Sequence, residues 1–81
     1  MEDVSSPLKA LSLTAAGDWK GAHELVQDDA SVAAAWVHSH LHRIEGDLDN
    51  AGYWYRKAGK TPATGDLEDE RRAIEMALKG A

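Results

Sequence analysis

The sequence predicts an all-α domain of antiparallel helical hairpins closed by a C-terminal capping helix. Three observations carry this. Apolar residues recur at spacings of three and four along most of the chain, and no strand-like alternation persists. Glycines stand where the periodic stretches stop, at Gly17, Gly46 and Gly80. Capping residues stand where they begin, at Ser6, Asp18 and Asp47. With 81 residues, the chain is expected to form one domain over 1–81, with 1–5 flexible.

Each element follows from these signals. Ser6-Pro7 is expected to open the first helix, Ser6 as cap and Pro7 as first helical residue, with Leu8, Leu11 and Ala15 on one face. Gly17 ends it, and Asp18 caps a second helix whose inner face is Trp19, Ala22 and Val26. A third helix runs from about Ser31 to Glu45, with Val37, Leu41 and Ile44 as its apolar line, joined by Ala33 and Ala34. Gly46 ends it. Asp47 then caps a fourth helix facing inward through Leu48, Ala51, Tyr55 and Ala58. "GKTPATGD" reads as a loop, with 60–65 irregular. The last helix starts near Asp66, with Leu67, Ile74, Ala77 and Leu78 inside. Glu68, Asp69 and Glu70 suit the positive end of its dipole, and Glu68, Asp69, Arg71, Arg72 and Glu75 form a wet face.

The second and fourth helices repeat one another. "GDWKGAHELV" and "GDLDNAGYWY" align at an offset of 29 residues, pairing Gly17 with Gly46, Asp18 with Asp47, Ala22 with Ala51 and Val26 with Tyr55. A turn glycine is followed five residues later by a small residue that lets helices approach, and four later by a bulky one. In this pattern the chain resembles tetratricopeptide repeats. "EGDLDNAGYWYRKAG" carries the likeness, including Ala58; the first unit has Asp29 in that last place, and the period is short against the usual ~34. The resemblance covers roughly residues 6–60. "HLHRIEGDLDNAGYWYRKAG" also resembles short microbial proteins with a tetratricopeptide-like fold. The likeness implies stacked hairpins; it is unspecific for function and names no partner.

Composition narrows the function. The net charge is −5, from 14 acids against 9 bases, with no large basic block, which argues against nucleic-acid binding. No cysteine is present, so disulfides and thiolate metal sites are excluded. "MEDVSSPLKA" is acidic and has no long apolar run, so neither a signal peptide nor a membrane span is expected, and the cytoplasm is the expected location.

Two candidate sites emerge. The first is a partner-binding surface. Trp36, His40 and Arg43 lie one turn apart in succession, and the resemblance places such first-helix positions on a concave face. Arginine offers a fork for a carboxylate and tryptophan a rigid plate. Tyr53 and Trp54 turn partly outward beside the inward Tyr55, which fits contact with a second copy in a homodimer or with the C-terminal helix. The second is a divalent-metal site. His38 and His42 share a helix side, Glu45 follows three residues on, and His23 could be a fourth ligand for zinc, nickel or copper. The same histidines also suit simple helix-packing roles. Catalysis has little support. Ser39 lies between His38 and His40, and adjacent helical residues point apart; no phosphate-cradling or calcium loop is present. The expectation is thus a non-enzymatic protein- or peptide-interaction module without a cofactor, with a small histidine-based metal-binding protein as the alternative.

Overall fold

The computed structural model describes residues 3–80. The expected flexible segment 1–5 lies partly outside them. Among the described residues five helices and no strand occur: α1 (Ser5–Ala15), α2 (Trp19–Val26), α3 (Val32–Ile44), α4 (Leu48–Ala58) and α5 (Leu67–Leu78).

Two turns of the same construction join α1 to α2 and α3 to α4. At Gly17 (φ +87°) and Gly46 (φ +84°) the backbone enters the left-handed region, where an L side chain is strained. The next N–H reaches back over the turn, Asp18 to the Leu13 carbonyl (2.8 Å) and Asp47 to the His42 carbonyl (3.0 Å). The same aspartates cap the following helices by accepting from Gly21 N (2.9 Å) and Asn50 N (3.2 Å). One Gly-Asp pair therefore satisfies carbonyls behind it and N–H groups ahead of it. Ser31 and Asp66 cap α3 and α5 in the same way.

The start of α1 differs from expectation. Ser6 is not the cap: the helix begins at Ser5, preceded by Val4, without a side-chain cap. Pro7 is therefore the third helical residue, still within the turn whose N–H groups lack intrahelical partners.

The helices pack α1 on α2 and α3 on α4, and α5 lies against α3 and α1. The core gathers Ala10, Leu11, Ala22, Val26, Ala34, Val37, Leu41 and Ile74, with Trp19, Trp36, Leu8 and Leu78 packed around it. Tyr55, Ala51 and Ala58 are buried as expected on α4. Several expected inward residues are exposed instead: Ala15, Ile44, Leu48, Leu67 and Ala77. Ala15, Ile44, Leu48 and Leu67 stand at helix ends, where the pattern names a face but no neighbouring helix extends to cover it. The reverse holds for Glu70. It is read from sequence only as one of the first-turn acids of α5 that suit the helix dipole, yet it is buried, one turn before Ile74 on the same line.

No helix among the described residues is long and apolar enough to cross a membrane.

Candidate metal centre

The α2 and α3 helices bring three histidines together. His38 and His42 stand four residues apart on α3, and His23 faces them from α2. One ring nitrogen from each falls within 4.8 Å of the others. His23 Nε2 and His38 Nε2 are 3.0 Å apart. Two neutral imidazoles can approach that closely only when one nitrogen donates a proton to the other.

Which one donates follows from burial. His38 Nδ1 is buried and has no hydrogen-bond partner. A proton there would be a buried donor without an acceptor, at a cost of about 1–3 kcal/mol. The favoured arrangement puts the His38 proton on Nε2, donating to His23 Nε2. Burial, reinforced by His42 and His23, pushes the His38 imidazole down to about 4, so it is neutral near pH 7. His23 is lowered too, by burial and then by His42.

His42 is oriented from outside. Its Nδ1–H donates to Glu45 Oε1 at 2.5 Å, which leaves Nε2 as the nitrogen available for coordination. A carboxylate behind an imidazole is the usual second layer of a histidine metal site. The sequence spacing makes Glu45 a direct ligand; the structure engages its carboxylate as the orienting partner of His42. The carbonyl end of α3, where His42 lies, also favours positive charge.

Aromatic rings wall the cluster. The indole of Trp19 stacks on His23 (centroids 4.8 Å, 10° between planes), and Trp54 stacks on His38 (3.9 Å, 17°). His38 and His42 stack on each other at 4.8 Å. Trp19 is locked by a 2.7 Å hydrogen bond from Nε1–H to the Leu41 carbonyl. Trp19 is absent from the site expected from sequence, although its spacing of four from His23 places both on one side of a helix.

The other expected site residues fall elsewhere. His40 is 1% exposed, and its Nδ1–H donates to Glu70 Oε1 at 2.7 Å. Arg43 donates to the same oxygen at 3.0 Å and to the Gly65 carbonyl, and the Tyr55 hydroxyl donates to Glu70 Oε2. Burial works to raise the Glu70 carboxyl, but the hydrogen bonds from His40, Tyr55 and Arg43 outweigh it, and the carboxyl falls below its ordinary value. Burial, and then Glu70, raise the Tyr55 hydroxyl. His40 and Arg43 thus do hold an acidic side chain, one belonging to α5 of the same chain. Trp36 is half-buried against the core beneath Lys60. Tyr53 is 44% exposed and meets Trp54 edge-on. Ser39 is buried and donates to the Trp36 carbonyl.

No protein-family model, curated protein or solved structure matches the chain.

Proposed function

We propose that the chain is a small binding protein for a divalent transition-metal ion, held by His23, His38 and His42. The convergence of three imidazoles with ligand atoms within 4.8 Å carries this reading. Tetrahedral coordination at the usual zinc–nitrogen bond length sets ligand nitrogens about 3.3 Å apart, so His23 and His38 at 3.0 Å need only a small outward shift. Three neutral nitrogens without thiolate suit zinc, nickel, copper or cobalt rather than calcium or magnesium. Glu45 positions His42, and Trp19 and Trp54 hold the other rings. A fourth position is left for water or an exogenous ligand. Loading moves the His38 proton to its unpartnered Nδ1, which costs about 1–3 kcal/mol. Affinity is therefore expected near the micromolar range, well short of a structural zinc finger.

Zinc or nickel added to chelator-stripped protein should raise the melting temperature. At a hundredfold excess over Kd the gain is about 2.7 kcal/mol, or about 10–20 °C for a domain of this size. His23→Gln should remove the shift while leaving the metal-free fold intact, because His23 is only partly buried and a glutamine oxygen can still accept from His38. No shift in the wild type, or an equal shift in His23→Gln, sinks the reading.

A second reading, a tetratricopeptide-like interaction module, is supported by the exposure of Tyr53 beside Trp54. If that pair mediates self-association, sedimentation should give twice the monomer mass, and Tyr53→Ala should reduce it.

A further inference from the structure

We propose that the cleft between Trp36 and the start of α5 binds an aliphatic ammonium group, the side chain of a lysine on a partner peptide. The cleft has a volume of about 360 Å³, and its lining includes Trp36, Lys60, Asp66, Asp69, Ala73 and Ile74. It shares no residue with the histidine site.

Three features point to this chemistry. The first is a cation already in place: Lys60 Nζ lies 4.2 Å from the centre of the Trp36 ring. An indole face attracts ammonium groups through its quadrupole, so the chain displays the interaction on its own residue. Lys60 is exposed, and its backbone is fixed by the 2.9 Å bond from its N–H to the Tyr55 carbonyl across the Gly59 turn. It acts as an internal occupant.

The second feature is the charge balance. Lys60 shares the lining with Asp66 and Asp69, both exposed, while the Glu70 carboxylate is already satisfied by His40, Arg43 and Tyr55. The lining therefore favours a cation and opposes an anion. The third is shape. Ala73, exposed on α5, offers an apolar contact for a methylene stem, and the indole with the two aspartates takes the charged head. Trp36 packs on the core, so the plate needs no ordering when a ligand arrives.

The internal occupant makes an unusual test possible, because removing a native contact should strengthen binding. The probe is Nα-acetyl-lysine amide, titrated while the indole N–H resonance of Trp36 is followed by NMR. Saturable shifts confined to Trp36 and the start of α5 are expected. Lys60→Gln should tighten the Kd by about two- to fivefold, the value of an exposed cation–π contact. Trp36→Leu should abolish the shifts, and Trp36→Tyr, which keeps an aromatic face, should restore part of the affinity. Nα-acetyl-norleucine amide, which has the stem without the charge, should bind at least tenfold more weakly. The proposal is overturned if the norleucine compound binds equally, if Lys60→Gln weakens binding, or if neither protein shows saturable shifts. A free aliphatic diamine binding tenfold more tightly than the capped lysine would overturn the peptide as source.

Discussion

Replacing Glu70 by alanine should be the most damaging single change to a polar residue in this domain. Its carboxylate receives the Nδ1–H of His40, a guanidinium N–H of Arg43 and the hydroxyl of Tyr55, all from side chains with little access to water. Removing it leaves the Arg43 charge, with a side chain only 12% exposed, without a charged partner. Two further donors lose their acceptor. Breaking a buried pair by deleting one member costs about 3–5 kcal/mol, mostly through the group left behind. Against a total stability of about 4–12 kcal/mol for a chain of this length, that is a large share. With a urea m-value of about 1 kcal/mol/M, the unfolding midpoint should fall by about 3 M or more, read by far-ultraviolet circular dichroism. Glu68→Ala, on the same turn but exposed, should cost less than about 0.5 kcal/mol, which controls for helix propensity and dipole effects. Pairing Glu70→Leu with Arg43→Met should cost less than the sum of the single changes by at least about 1 kcal/mol. If Glu70→Ala lowers stability by no more than Glu68→Ala does, the buried network does not hold α5 and the reasoning fails.

Acid should weaken the fold through the histidines. His38 has a folded pKa of about 4 against an ordinary 6.5, so its contribution is fully present above pH 6.5 and is lost as pH falls toward 4. The shift corresponds to about 3 kcal/mol at most, and His38→Gln should flatten that part of a urea-midpoint profile; an unchanged profile would assign the acid sensitivity elsewhere. Gly46→Ala should destabilise by about 1 kcal/mol because of its positive φ, whereas Gly52→Ala, inside α4 with only the end of the Arg56 side chain near the added methyl, should stabilise by about 0.5–1 kcal/mol. Opposite signs in thermal melts are the check. Asp18→Ala should cost about 1 kcal/mol through loss of the α2 cap, and Asp18→Asn should recover most of it.

The five helices were legible because each signal is local. Gly17-Asp18 and Gly46-Asp47 announce a stop and a start within two residues, whatever the rest of the chain does. The inner faces of α3 and α4 were also readable at Val37, Leu41, Ala51 and Tyr55. Exposed Leu48 and Leu67 were not, because the period of a helix says nothing about where its neighbour ends. His38 and His42 could be paired from their spacing, and His23 could be offered as a further ligand. The spacing could not tell that Glu45 turns to His42 rather than toward the other histidines. Glu70 escaped notice for a different reason. A carboxylate in the first turn of a helix has a sufficient local explanation, and its partners lie 15 to 30 residues away. The chain supplies its own acidic ligand to His40 and Arg43, an outcome that no local pattern encodes.

The manner in which α5 is attached also orders how the domain comes apart. This helix buries only Glu70 and Ile74, with Leu78 half-covered, and an irregular segment tethers it to α4. Hydrogen exchange should therefore find α5 to be the first cooperative unit to open, ahead of the α1–α4 assembly. Each opening uncovers His40 and Arg43 together, so the least protected helix controls the lifetime of the most hidden polar surface. The stability of α5 itself would then set how often that surface meets solvent.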